Sequence, residues 1–353
     1  MDGVVMSRMI GHRLVGTGAP CFVIAEAGVN HNGDVALACR LVDAAREAGA
    51  DAVKFQTFKA ERLVTQAARK ADYQVRATGG DETQFEMLRR LELSADAHRE
   101  ILRHCEQQGI LFLSSPFDEE SADFLDALGV PAFKLGSGEL TNLPLIAHVA
   151  RKGRPVMLST GMATLAEVAD AVQEASTAGT GGVLLLQCVS NYPAQPADVN
   201  LRAMKTMADA FNVPVGYSDH TLGNHVSVAA VALGACIIEK HFTLDCQLPG
   251  PDHQASIEPP ALAALVREIR DVEAALGDGR KVPAASEAAT ARAARRSLVA
   301  AVDIPAGVAL TDAHLELRRP GTGLPPAERS KVVGRTARAS IAQGTVIQLE
   351  MLQ

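Results

Sequence analysis

Eight short apolar, β-rich runs recur between residue 21 and about residue 276, each followed by a polar or glycine-containing turn and an amphipathic segment. They are CFVIAEAG, DAVKFQTF, ILFLSSPF, AFKLGSG, PVMLSTG, VLLLQCVS, PVGYSDH and IIEKHFT. Strands that alternate with helices imply right-handed crossovers and a parallel sheet. Eight such units within roughly 250 residues predict a closed (β/α)8 TIM barrel. The intervening segments have the matching period. In DVALACRLVDAAREAGA, Ala38, Leu41, Val42 and Ala45 recur at helical spacing and form one small-residue face suited to packing on a sheet. In STGMATLAEV, Thr164 followed by Glu167 reads as a capping box. The main irregularity is the polar stretch Lys59 to Thr83, long enough to form a loop or lid over the barrel mouth.

Past residue 276 the rhythm stops. Gly277 and Gly279 end the last helix, and the Ala, Glu and Arg-rich stretch that follows reads as a linker with helical tendency. From Ser297 the text becomes SLVAAVDIPAGVALTDAHLELRRPGTGLPP, short β runs broken by PAG and PGTG. The expected organisation is a catalytic barrel over 1–280, a linker over 281–296 and a small β-rich domain over 297–353.

Composition narrows the function. A net charge of −7 supplies no basic field for a polyanion, and with no Trp and 4% aromatic residues there are few platforms on which bases could stack. Nucleic acid is not an expected partner. The longest apolar run, VSVAAVALGACII, is too short to cross a bilayer and contains glycine. The six cysteines form no C-x-x-C pair, and MDGVVMSRMIGHRLVG carries no apolar stretch of signal-peptide length. A cytoplasmic protein with reduced thiols is therefore expected.

Active sites of such barrels are built at the carboxyl ends of the strands, so the residues that end each run are read first. In order the runs supply Glu26; Lys54 and Gln56; Ser114 and Ser115; Lys134, Ser137 and Glu139; Ser159 and Thr160; Gln187, Ser190, Asn191 and Tyr192; Ser218, Asp219 and His220; and Glu239 and His241. Singly, each has an ordinary explanation: a lysine can snorkel, a serine can cap the next helix, a glutamate can pair with a neighbour. Alternation changes the balance, because Lys54 shares a face with Gln56 and Glu239 shares one with His241. Inward charges in a closed barrel are costly unless paired, bound to metal or engaged with ligand. The pattern points to a site for an anionic ligand and a metal. Two histidines alone leave a structural and a metal-binding role open. As ligands they would leave coordination positions for water, a carboxylate and substrate oxygen, which suits Mn2+ or Mg2+ in a Lewis-acid role better than a closed zinc site. No thiolate is read as sharing the site motif.

The stretches IAEAGVNHNGD, AVKFQTF, FKLGSGELTNLPLI, LSTGMAT, GYSDHT, EKHFTLD, GPDHQAS and RRPGTG resemble those of the sialic acid synthase family: N-acetylneuraminate synthases with their legionaminate and pseudaminate relatives. The resemblance runs nearly end to end, and the C-terminal module resembles the antifreeze-like (SAF, β-clip) domain of that family. It implies condensation of phosphoenolpyruvate with an N-acyl mannosamine-type sugar, giving a nine-carbon 2-keto acid and phosphate. By the same resemblance His220 and His241 hold a divalent metal, Mn2+ first and Mg2+ or Co2+ as alternatives. Lys54, Ser115, Lys134, Ser137 and Ser159 match phosphoenolpyruvate positions, Gln56, Tyr192 and Asp252 match sugar positions, and Glu26 and Glu139 match the acid/base positions. Arg319 matches an arginine that reaches the sugar from the partner subunit's small domain, which implies a homodimer with exchanged C-terminal domains.

Departures bear on the acceptor. Where some members have His then Cys in the sixth strand, this chain has LQCVSNYP, and GPDHQAS with ADYQVRATGGDETQFEMLRRLEL resembles legionaminate synthases as much as neuraminate synthases. The alternative acceptor is thus 2,4-diacetamido-2,4,6-trideoxymannose, and the pseudaminate branch is disfavoured. Two other readings are weaker: a 3-deoxy-keto acid synthase, which leaves the RRPGTG module unexplained, and a non-catalytic carbohydrate-binding protein.

Overall fold

The computed structural model describes residues 7–353 and divides the chain into two compact units, one ending at Gly277 and one beginning at Asp278. A two-stranded antiparallel hairpin, β1 (Ser7–Ile10) and β2 (Arg13–Gly16), opens the described chain. Eight parallel strands follow: β3 (Phe22–Gly28), β4 (Ala52–Thr57), β5 (Leu111–Pro116), β6 (Phe133–Leu135), β7 (Val156–Ser159), β8 (Val183–Cys188), β9 (Val215–Asp219) and β10 (Ile237–His241). Their order in the sheet is β5-β4-β3-β10-β9-β8-β7-β6, and β5 lies beside β6, so the sheet curls into a near-closed (β/α)8 barrel. All eight expected strands are present.

The helices cover the outside of the ring. Helix Val35–Glu47 buries Ala38, Leu41, Val42 and Ala45, the face read from the sequence, and helix Leu165–Ala178 starts with the Thr164–Glu167 capping box. Inside the ring, Phe22, Ile24, Ala52, Leu113, Met157, Leu184, Leu186 and Ile237 form an apolar plug at the amino-terminal ends of the strands. Ile10 and Val15 of the hairpin join this plug, which gives the barrel a closed floor. The segment after β4 folds into short helices at Ala60–Leu63 and Asp72–Thr78, then Gln84–Leu91.

In the second unit, a short helix at Ala288–Ala294 precedes β11 (Ser297–Ala300), which pairs antiparallel with β12 (Leu315–Arg318). Isolated bridges such as Ile304 with Ile341 and Ala337 with Leu352 complete a small β-rich fold. Its own core is built from Leu298, Ile304, Leu310, Leu315, Val332 and Ile347. No helix among the described residues is long and apolar enough to cross a membrane.

Candidate active site

Alternation along the strands creates the site. The inward positions that are apolar near the floor become polar one layer up: Phe22 and Ile24 lead to Glu26, Ala52 to Lys54 and Gln56, Leu113 to Ser115, Met157 to Ser159, and Ile237 to Glu239 and His241. These upper residues line a cavity of about 430 Å³. Its opposite wall comes from the segment after β4, including Leu63, Val64, Tyr73, Gln74, Gln84, Met87 and Leu88. The polar stretch after the second barrel strand therefore does wall the mouth, although its inner surface is largely aliphatic and amide in character.

At the centre is a buried quartet of charges. Lys54 Nζ lies 2.7 Å from Glu26, 3.6 Å from Glu239 and 3.0 Å from the Ser115 hydroxyl. Lys134 Nζ lies 3.2 Å from Glu239, whose carboxylate also accepts a 2.9 Å hydrogen bond from Ser218. Burial pushes the Glu26 carboxyl up to about 7, and Lys54 offsets only part of that rise. Burial acts on Glu239 too, but Lys134 and Lys54 outweigh it and hold that carboxyl at about 2. Burial lowers Lys134, whereas for Lys54 the effect of burial is overcome by Glu239 and Glu26. With all four groups ionised the quartet is neutral; Glu239 stays charged, while Glu26 can take up a proton near pH 7 and leave the quartet with one positive charge.

The loop after β6 carries Ser137 and Glu139 in one 3-10 turn, with Glu139 accepting a 2.8 Å bond from Asn142. Ser137 Oγ accepts the Gly161 amide at 3.0 Å, and the Ser159 hydroxyl is buried without a partner. A Cβ at Gly161 would stand 2.7 Å from Ser137 Oγ and crowd Ser190 Oγ, so any side chain there would push one or both hydroxyls aside.

The two histidines meet over this floor with ring centroids 5.3 Å apart and planes at 65°. His220 Nδ1 is 2.6 Å from the Val189 carbonyl, which can only accept, so Nδ1 carries the proton and Nε2 is free. His241 Nδ1 is buried without a hydrogen bond, 3.9 Å from Asp252 Oδ2. Burial raises the Asp252 carboxyl to about 6. The Tyr192 ring lies against His220 with centroids 4.1 Å apart and planes tilted by 35°, and Tyr73 packs against Tyr192 at 4.9 Å, so the wall segment reaches the histidine pair through two rings. The orphaned Nδ1 and the free Nε2 are suited to a cation. Among the described residues, however, no three His, Cys, Asp or Glu side chains form a metal-holding group.

Of the residues singled out, Glu26, Lys54, Gln56, Ser115, Lys134, Ser137, Glu139, Ser159, Tyr192, His220, His241 and Asp252 all line this cavity. Arg319 lies in the second unit and is exposed there. Two readings are corrected. Gln187 turns away, its amide donating to the Val199 carbonyl at 2.9 Å. A thiol does share the site: Cys188 lines the cavity with Sγ 3.7 Å from His220 Nδ1. The signal was available, since 184, 186 and 188 form one face of β8 and the first two are in the plug. Reading the end of the run by polarity favoured Gln187 over its inward neighbour. Ser218 and Glu239, at the ends of β9 and β10, also line the cavity, beyond the roles that the sequence alone assigns.

A sequence profile of the NeuB family matches residues 41–281, and that of the SAF domain matches 295–353. The chain is 48% identical over 342 residues to an N,N'-diacetyllegionaminic acid synthase of Legionella pneumophila, covering 96% of each chain. It is 40% identical to the human N-acetylneuraminate-9-phosphate synthase, covering 96% of this chain and 95% of that one. Among solved structures, an N-acetylneuraminic acid synthetase from Leptospira borgpetersenii superposes with a TM-score of 0.72 at 34% identity, over 82% of this chain and 96% of the other.

Proposed function

The chain belongs to the NeuB family, and we propose that it is a phosphoenolpyruvate-dependent synthase that condenses an N-acyl mannosamine-type sugar to a nine-carbon 2-keto acid. The observation that carries this reading is the buried quartet Glu26–Lys54–Glu239–Lys134 directly beneath the histidine pair. Two lysines aimed at one cavity match a small trianion carrying a phosphate and a carboxylate. Hydroxyls of Ser115, Ser137 and Ser159 supply neutral hydrogen bonds around them.

C3 of the enol attacks the aldehyde carbon of the open-chain sugar, leaving positive charge at C2. Glu26, buried and near the lysines, stabilises that charge or accepts a proton from the water that adds to C2. The C2–O bond then breaks and phosphate leaves with the bridging oxygen, while the added water becomes the keto oxygen. One proton ends on the former aldehyde oxygen and one on phosphate, with Glu139 placed to assist. His220 and His241 would hold a divalent cation, for which the resemblance to sialic acid synthases gives Mn2+ first. When bound, it supplies Lewis acidity for the aldehyde. Gln56, Tyr192 and Asp252 orient the sugar, and Arg319 is assigned to the cavity of a partner subunit in a domain-exchanged homodimer. Residues 281–296 serve as the connector, and six free cysteines suit a reducing, cytoplasmic setting.

One feature of the cavity favours the diacetamido-trideoxy acceptor. The wall opposite the lysines presents Leu63, Val64, Met87 and Leu88 with the amides of Gln74 and Gln84, and no cation. Such a wall suits methyl and acylamino groups and offers no cation to a phosphate ester. The test is phosphate release. It should require phosphoenolpyruvate, an N-acylated hexosamine and a divalent cation together. Release with no acceptor in a panel of N-acetylmannosamine, its 6-phosphate and the diacetamido-trideoxy sugar would refute the reading.

A further inference from the structure

Each candidate metal-binding histidine directly follows a buried charged residue: Asp219 precedes His220, and Lys240 precedes His241. β9 and β10 are neighbouring parallel strands in which Lys240 stands opposite Asp219. Because strand side chains alternate, the charged pair faces the outer layer while Glu239 and His241 face the cavity. Lys240 Nζ lies 2.8 Å from Asp219 Oδ2 and 2.7 Å from the Thr221 carbonyl. Asp219 Oδ1 accepts from the Thr221 amide and hydroxyl, both at 2.8 Å, and from Tyr217 at 3.1 Å. Its Oδ2 also accepts from Ser227 of the outer helix His225–Ala232 at 2.6 Å. Asp219 and Lys240 are 1% and 2% exposed, so neither serves solvation.

We propose that the Asp219–Lys240 ion pair is a positioning device that fixes the separation of His220 and His241 and so sets their affinity for a divalent cation. The carboxylate ties the backbone just after His220 through the Thr221 amide, and the Tyr217 side-chain hydroxyl holds the same carboxylate from two residues earlier in β9. The lysine ties the residue before His241 to the same turn through Asp219 and the Thr221 carbonyl. The His220 ring is also held through Nδ1 by the Val189 carbonyl, whereas His241 Nδ1 has no hydrogen bond, so the tie through Lys240 matters most for His241. A buried ion pair is weak as a source of stability, because desolvation consumes much of its Coulombic gain. What this pair does supply is a fixed geometry one residue away from both ring carriers. Groups hydrogen-bonded directly to a ligating histidine are worth tenfold to hundredfold in metal affinity, and this pair acts one residue back, on the strand ends that carry both rings.

The inference rests on the reading of His220 and His241 as cation ligands, and the test separates the two. Free Mn2+ is measured by electron paramagnetic resonance during titration of the full chain, and phosphoenolpyruvate affinity is measured by calorimetry alongside. The variants are Lys240→Met, the charge-neutral Asp219→Asn/Lys240→Met, Lys240→Arg and the milder Ser227→Ala. Lys240→Met and the neutral double should lose tenfold to hundredfold in Mn2+ affinity, with phosphoenolpyruvate affinity within twofold of the parent. Lys240→Arg should stay within threefold for Mn2+. Ser227→Ala, which removes one bond to Asp219 and little volume, should lose about threefold and keeps the test alive if the others do not fold. Folded variants with a lower Tm but unchanged Mn2+ affinity would overturn the positioning role. A parent protein that binds no Mn2+ would instead overturn the ligand reading from which it starts.

Discussion

Lys54 Nζ stands 2.7 Å from the Glu26 carboxylate inside the barrel, and both side chains are almost fully buried. The contact joins the candidate anion-binding group to the candidate acid/base group. Neither can change its charge without affecting the other.

Replacing Lys54 should therefore damage fold and function together. Lys54→Met leaves Glu26 buried beside an apolar chain, and removing one partner of a buried pair costs about 3–5 kcal/mol. Urea denaturation should show a loss of that order at about pH 9, where Glu26 is driven to its charged form, and a smaller one near pH 7, where Glu26 takes up a proton; phosphate release should fall below detection. Unchanged stability would mean that the two groups are not paired.

The raised Glu26 carboxyl gives a signed pH dependence. Its ordinary value is 4.5 and its folded value about 7, so between these limits the folded chain holds more protons than the unfolded one. The stability that Glu26 contributes is full below pH 4.5 and is lost as pH rises through 7. Glu26→Gln should remove this decline. The difference in unfolding free energy between variant and parent should shift in the variant's favour by up to about 3 kcal/mol from pH 4.5 to pH 8. A difference that stays flat across this window would contradict the burial argument.

Gly161→Ala tests the loop after β7 without touching a charge. The added Cβ would press on Ser137 Oγ from 2.7 Å, displacing a hydroxyl assigned to phosphoenolpyruvate. KM for phosphoenolpyruvate should rise at least tenfold, in line with the loss of a charge-assisted hydrogen bond. KM for the sugar should stay within threefold.

For Arg319→Ala the loss should fall on the sugar. A severed hydrogen bond from a charged group corresponds to tenfold or more in sugar KM. Mixed dimers that combine an Arg319→Ala chain with a Lys54→Met chain should contain one intact composite site and recover part of the activity. No recovery, with an unchanged sugar KM for Arg319→Ala alone, would rule out the exchanged arrangement.

Much of this was legible in the chain because barrel strands carry their instructions locally. The eight apolar runs set the strands, and alternation placed Lys54 with Gln56 and Glu239 with His241. The hairpin Ser7–Gly16 was missed, because two four-residue strands carry too little periodicity to stand out. Cys188 is hidden from a reading by polarity, because register, not polarity, turns it inward at the end of β8. The pairing of Lys54 with Glu26 and Glu239, and of Lys240 with Asp219, depends on which strands are neighbours around the ring. No single run encodes that, since Glu26 and His241 meet only after the last strand returns to the first.

The central claim is a condensation in which phosphoenolpyruvate loses phosphate by C–O cleavage. The most direct test uses phosphoenolpyruvate labelled with 18O at the bridging oxygen, incubated with the diacetamido-trideoxy sugar and Mn2+, followed by mass spectrometry of both products. C–O cleavage yields labelled inorganic phosphate and an unlabelled nine-carbon 2-keto acid in equal amounts. Label retained in the keto acid, or phosphate released without the sugar, would contradict it.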